Sequence, residues 1–223
     1  MQLWIGNKNY SSWSMRPWVL MKQLDIAFEE VKLRFDFSEG SAFRQAVAAQ
    51  SPAGKVPVLV DEGLAIWDTL AITEYLAEQH PAVWPAERAH RARARSLSAE
   101  MHSGFGALRH HCPMNIEASL PEVGVRLWAE QAELRSDVAR IESAWADALH
   151  RSSGPYLFGD FSAADAFYAP VCMRLQTYAL PVSDATKAYM QRVAAAPGVA
   201  AWIADARAER DYLDFEEPYR TGP

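Results

Sequence analysis

The chain has 223 residues, half of them hydrophobic and 22% charged, with a formal net charge of -6. That composition excludes a disordered chain and supplies a real core, in one large domain or two small ones. The acidic balance argues against a phosphate-binding surface, because nucleic-acid domains are usually basic.

The first eighty residues alternate strand-like and helix-like segments. Leu3 to Ile5 is a short apolar strand. A helix follows from about Ser14 to Leu24, with Pro17 in its first turn, where a missing N–H is tolerated. Phe28 to Leu33 alternates as a strand, and a short helix spans about Ser41 to Ala49. Gly54-Lys55-Val56-Pro57 is a loop feeding an apolar strand at Val58 to Val60. Proline suits a strand's first position because it has no N–H to give to a ladder. The Val56–Pro57 bond is the expected place for a cis peptide. There the N–H and C=O of Val56 would face outward, free to pair with an extended, peptide-like ligand. A strand at Leu64 to Trp67 and a helix from Asp68 to Gln79, with Ile72, Tyr75 and Leu76 on one face, complete the unit. This order predicts a thioredoxin-like α/β sandwich over residues 1–80.

His80-Pro81 ends that helix and Pro85 restricts the chain after it, which places a linker at about 81–86. Residues 87–223 then read as an all-helical domain. One apolar stripe runs through Leu127, Leu134, Val138, Ile141, Trp145 and Leu149; another runs through Ala164, Phe167, Tyr168, Val171, Cys172 and Leu175. Both have a period near 3.6 and predict a bundle core. Ser162-Ala163-Ala164-Asp165 matches a capping box, a structural start signal for the second stripe, and Pro170 should kink that helix. Arg88, Arg91, Arg93 and Arg95 are expected on the solvated face of a helix start or of the linker. The tail from about Asp214 is polar, carries two prolines, and is expected to lie loosely on the surface.

Cys112 and Cys172 are far apart and lack CxxC or metal-type spacing, so neither a disulfide framework nor a zinc site is predicted. His102, His110 and His111 do not converge on a metal, since adjacent helical histidines point apart. No segment reaches the roughly 18 consecutive apolar residues of a membrane span. The N-terminus lacks the pattern of a signal peptide. A cytoplasmic protein, binding neither membrane nor nucleic acid, is expected.

A thioredoxin-like half, a proline-marked linker and a helical half, together with Ser11-Ser12-Trp13-Ser14, Val56-Pro57, Asp68-Thr69 and Gly159-Asp160-Phe161-Ser162, resemble the cytosolic glutathione transferases. The resemblance covers the whole chain and is nearest to the serine-type members, zeta-like or from a related bacterial subclass. It implies glutathione as cosubstrate, no metal, and a homodimer. Val56 would pair with the cysteinyl backbone of glutathione, beside Lys55 and Pro57. Asp68 would take the γ-glutamyl ammonium, while the Thr69 hydroxyl and the helix amides held its carboxylate. Ser11, or alternatively Ser12, would donate to the sulfur and favour its thiolate at the positive end of a helix. Ser14 is a likelier helix cap by position, and Tyr10 competes because other classes use a tyrosine. Trp13 and a single helix carrying Met101, His102, Phe105, Leu108 and Arg109 would line the second-substrate site, with Arg109 orienting an anionic electrophile.

The implied activity is attack of that thiolate on a small hydrophobic electrophile. Isomerisation of the maleylacetoacetate type and peroxide reduction begin from the same species. Trp13, where zeta-type isomerases have cysteine, weakens the isomerase reading. A non-catalytic binding or regulatory protein on the same scaffold is the alternative of another class.

Overall fold

The computed structural model describes residues 1–222. Its first unit is built on four strands: β1 (Gln2–Ile5), β2 (Glu29–Lys32), β3 (Val58–Asp61) and β4 (Leu64–Trp67). The sheet order is β2-β1-β3-β4, with β1 and β2 parallel and the other pairs antiparallel. Leu3, Ile5, Val58 and Leu59 on the central strands are fully buried. The edge strand β2 is nearly all charge, Glu-Glu-Val-Lys, a composition that discourages pairing with another chain. Helices α1 (Ser12–Gln23), α2 (Ala42–Gln50) and α3 (Thr69–Gln79) complete the thioredoxin-like unit. Ser41 caps α2 by accepting from the Arg44 amide at 3.2 Å.

Helix α1 begins earlier than its sequence pattern suggests. Ser11 is the N-cap residue, so Ser14 lies inside the helix and does not cap it. Pro17 correspondingly falls in the second turn, where its missing N–H leaves the Trp13 carbonyl without its i+4 donor. The hydroxyl of Thr69 takes that place, donating to the Trp13 oxygen at 3.3 Å. The start of α3 thereby compensates for the proline of α1.

After a 3-10 turn at Pro81–Val83 the chain is helical: α4 (Arg88–Ser103), α5 (Gly106–His111), α6 (Pro121–Glu130), α7 (Ala132–Arg151), α8 (Ala163–Thr177), α9 (Asp184–Ala195) and α10 (Pro197–Glu209). Residues 101 to 109 do not form one helix. The amide of Gly104 closes α4 on Glu100, and Phe105 turns left-handed at φ 54 before α5 starts. The stripe from Leu127 to Leu149 is likewise shared between α6 and α7, broken at Gln131.

Helix α8 is buried on almost every side, as expected of a helix apolar all round. It packs against α1, α4 and α9 at the centre of the molecule. Its capping box is present, and Asp165 accepts from the Ser162 and Leu157 amides at 3.0 and 3.1 Å and from the Tyr189 hydroxyl at 2.9 Å. Helix α10 packs on α1 through Gly198, where a Cβ would lie 2.6 Å from the Val19 carbonyl oxygen.

The basic run at the start of α4 is a solvated face with local partners: Arg93 pairs with Asp147 and Arg95 with Glu74, both at 2.8 Å. The tail departs from its sequence expectation. A 3-10 turn at Asp214–Glu216 leads to Glu217, a buried carboxylate that accepts from the Tyr10 hydroxyl at 2.7 Å, Asn115 Nδ2 at 2.8 Å and Arg220 Nε at 2.8 Å. Leu213 joins Tyr10, Phe35, Phe43 and Val47 in a small apolar cluster. Composition made the tail look loose, but a buried and fully bonded carboxylate holds it down.

Candidate active site

The loop between β1 and α1 is fixed by the far end of the chain. Asn7 donates to Asp211 at 2.9 Å, and Asn9 donates to Asn115 at 3.0 Å while accepting from the amides of Ile116 and Glu117 at 2.8 Å. Lys8 is buried, with its ammonium 2.7 Å from Glu30, 2.6 Å from Asp205 and 4.4 Å from the Trp18 ring centroid. These contacts set the direction in which Ser11 and Ser12 leave the loop.

Tyr10 is spoken for. Its hydroxyl donates to Glu217 and accepts from the Leu213 amide at 3.3 Å, and burial, with the Glu217 bond, pushes its pKa up to about 12. Ser11 Oγ donates to Ser14 Oγ at 2.7 Å, and Ser14 Oγ in turn accepts from the Gly6 amide at 3.3 Å. Ser12 Oγ accepts from Arg174 Nη2 at 3.1 Å. Ser11 and Ser12 open onto a cavity of about 420 Å³. Its other walls are Trp13, the aromatic group Phe35, Phe37 and Phe43, Met114, Arg109, Arg174 and Glu216.

Guanidinium groups crowd this cavity. Arg16 is buried behind Trp13, 4.2 Å from its ring centroid, and donates to the Phe167 and Ser12 carbonyls. Arg109 lies 5.5 Å from the same ring. Arg174 donates to the carbonyls of Cys112 and Arg109. Among the described residues, none of the three has a carboxylate within ion-pair distance. Burial, reinforced by Arg174 and Arg109, drives the pKa of Arg16 well down, and burial lowers that of Arg174 to about 10. The protein thus holds uncompensated positive charge beside a helix N-terminus, which itself favours anions.

A second cavity of about 340 Å³ contains Lys55, Val56, Pro57, Trp67, Asp68, Thr69 and His102, and it meets the first at Trp13, Lys55 and Val56. The Val56–Pro57 peptide is cis. No hydrogen bond among the described residues engages the N–H or C=O of Val56. Asp68 caps α3 from a left-handed backbone at φ 74, its Oδ1 accepting from the Leu70 amide at 2.8 Å. Its Oδ2 faces His102 Nε2 at 3.2 Å, an interaction between the two units. The Thr69 hydroxyl, buried and donating to Trp13, has no second proton to offer a carboxylate. The helix-start amide of Thr69 is the group left to do so.

Three second-substrate candidates are not brought to either cavity. Met101 and Leu108 are fully buried in the core of the helical unit, and Phe105 is 7% exposed and packs toward Tyr168. Their helical spacing belongs to the core. Arg174 and Glu216 were missed. Arg174 had a signal, a charge interrupting the apolar run of α8, whereas Glu216 had none. Among the described residues no group of histidine, cysteine and carboxylate side chains is arranged to hold a metal. Both cysteines are free and buried; burial raises their pKa values, that of Cys112 to about 12.

The pattern of the glutathione S-transferase N-terminal domain matches residues 7–85, and that of the glutathione S-transferase C-terminal domain matches residues 91–205. The chain belongs to the glutathione S-transferase family. It is 27% identical over 175 residues to the maleylacetoacetate isomerase of Rattus norvegicus, covering 77% of this chain and 76% of that protein. Identity to a probable maleylacetoacetate isomerase of Caenorhabditis elegans is 36% over 101 residues, 44% of this chain and 45% of the relative, so that match spans less than half of the relative's length. A Burkholderia glutathione transferase homolog solved with bound glutathione shares the fold at a TM-score of 0.70 and 24% identity, covering 93% of this chain and 98% of that one. Both units are therefore those of the family, α/β sandwich first and helical domain second.

Proposed function

We propose that the chain is a glutathione transferase in which residues 1–80 bind glutathione and residues 87–223 supply most of the second-substrate site. Glutathione lies across the cavity between Val56 and Asp68. The free N–H and C=O of Val56 pair with its cysteinyl residue as a short strand, Lys55 meets its glycyl carboxylate, and Asp68 Oδ2 takes its ammonium. The γ-glutamyl carboxylate rests on the helix-start amide of Thr69. This orientation brings the sulfur to Ser11 and Ser12.

One observation carries the reading: three guanidinium groups without carboxylate partners surround the helix start that presents those serines. An ordinary thiol has a pKa of about 8.5. Positive charge and a donated hydroxyl favour its anion. The proton leaves to solvent, and the thiolate forms the new carbon–sulfur bond either as a leaving-group anion departs with its bonding pair or as a conjugated π bond breaks and its far atom takes a proton from solvent. Ser11 is the primary donor once its hydroxyl turns from Ser14 to the sulfur, and Ser12, whose oxygen accepts from Arg174 while its own proton stays free, is the second. Arg109 and Arg174 lie where they would orient an electrophile bearing a carboxylate, so the second substrate is a small anionic electrophile with an apolar portion facing Trp13 and the phenylalanines. Conjugation and glutathione-dependent isomerisation share this first step; the indole of Trp13 narrows the space for a bulky isomerisation substrate. A homodimer in the cytoplasm completes the reading, and light scattering after size exclusion tests the dimer.

The deciding experiment follows the ultraviolet absorbance of bound glutathione against pH. The expected thiol pKa is about two units below the free value, rising by about one to two units in Ser11→Ala, the equivalent of one lost charge-assisted hydrogen bond. An undisturbed thiol in the native complex refutes the mechanism.

A further inference from the structure

Among the described residues, Glu216 is the one carboxylate in the wall of the cavity that holds Ser11, Arg109 and Arg174. Its neighbours fix its place: Glu217 is bonded to Tyr10 and Asn115, the Phe215 ring lies 5.2 Å from that of Phe37, and the Glu216 amide closes on the Leu213 carbonyl at 2.8 Å. Among the described residues its own carboxylate has no hydrogen bond and no cation within 4.0 Å, although Arg174 is close enough to bias its charge. Its carboxyl therefore stands across the cavity from Arg109 and Arg174. Burial raises its pKa, and Arg174 opposes that shift.

We propose that Glu216 sets the charge selectivity of the second-substrate site, admitting electrophiles with one carboxylate and disfavouring those with two. The inference rests on the glutathione reading above. With glutathione bound, Arg109 and Arg174 in the cavity wall, and Arg16 behind Trp13, offset the thiolate and Glu216. One substrate carboxylate completes the balance. A second one would be left uncompensated, near Glu216 and away from the guanidinium groups. Two like charges about 10 Å apart at an effective dielectric of about 20 alter affinity on the order of tenfold. Sequence could not reveal this, because Glu216 reaches the cavity only through the docking of the tail.

The test is calorimetry on the protein–glutathione complex with two ligands that do not react with thiols, succinate and monomethyl succinate. Glutathione is titrated first: failure at that stage refutes the glutathione reading itself, and glutathione binding with a depressed thiol pKa isolates the question of Glu216. The expected result is a preference for monomethyl succinate of about tenfold in the native protein, lost or reversed in Glu216→Gln. Arg174→Met should weaken both ligands. A native preference for succinate, an unchanged preference in Glu216→Gln, or no binding of either ligand at millimolar concentration overturns the proposal. Thermal melting of Glu216→Gln shows whether the tail remains docked, and Phe215→Ala, which removes the tail's ring from Phe37 without removing the charge, should keep the sign of the preference. Reversal in Phe215→Ala would assign the effect to tail position and overturn the role of the charge.

Discussion

Replacing Asp165 tests whether the buried cap of α8 stabilises the helical unit at the price of an ionised carboxylate in the core. The side chain accepts from the amides of Leu157 and Ser162, from the Ser162 hydroxyl and from the Tyr189 hydroxyl. An unpaired buried donor costs roughly 1 to 3 kcal/mol; with four donors, two of them hydroxyls free to turn to other acceptors, alanine would lose about 4 to 6 kcal/mol in hydrogen bonding, toward the lower end of that range. Against this, burial raises the carboxyl pKa from 3.8 to about 6, a shift equivalent to about 3 kcal/mol against the ionised form. The net loss in Asp165→Ala at pH 7.5 should therefore be about 1 to 3 kcal/mol. The pH dependence has a definite sign. Between pH 4 and 6 the folded state keeps a proton that the unfolded state has released, so stability from this group falls as pH rises. The deficit of Asp165→Ala should grow by about 1 to 2 kcal/mol between pH 7.5 and pH 4.5. Urea unfolding at fixed protein concentration measures both quantities. A deficit under about 1 kcal/mol, or one that shrinks on acidification, would refute the reasoning.

Glu217 has the opposite pH signature: burial works to raise its pKa, but the bonds from Arg220, Tyr10 and Asn115 outweigh it and hold the pKa below the usual value. Its contribution to stability is therefore present above the ordinary carboxylate pKa and lost on acidification. Glu217→Ala should lose about 2 to 4 kcal/mol at neutral pH and expose the tail to limited proteolysis. Gly198→Ala places a methyl carbon against the Val19 carbonyl and the Gln23 amide, 2.6 and 3.0 Å away. Backbone cannot yield as a flexible side chain would, so a loss of about 1 to 3 kcal/mol is expected in thermal or urea unfolding. Cys112 and Cys172, buried with raised pKa values, should resist alkylation in the native protein and react on denaturation, as mass spectrometry would read.

The first unit was legible almost element by element because its signals are local. Pro57 marks the entrance to β3, Asp68-Thr69 the start of α3, and apolar alternation the central strands. The error at α1 has a physical cause. Pro17 implies a first turn only when its missing hydrogen bond must go unreplaced, and the hydroxyl of Thr69, 56 residues from Trp13 in sequence, makes the replacement. Local periodicity also joined residues 101 to 109 into one helix, because nothing in their spacing reveals the left-handed turn at Phe105. The same spacing made Met101 and Phe105 look like a pocket wall, although apolar residues at helical intervals serve a core equally well.

The less legible half of the site depends on docking between distant segments. Arg174 reaches Ser12 across 162 residues and Glu217 reaches Tyr10 across 207. Lys8, Arg16, Arg174 and Glu217 are all buried charges at or near the junction of the units. Removing such groups from water is expensive unless each finds partners. Lys8 and Glu217 have opposite charges beside them; Arg16 and Arg174 have carbonyls and a hydroxyl, which satisfy hydrogen bonds without cancelling charge. That difference turns packing into chemistry. The first unit contributes the serines and the helix start, but the uncompensated field around them exists only once α8 has docked against α1 and the tail has been tied down.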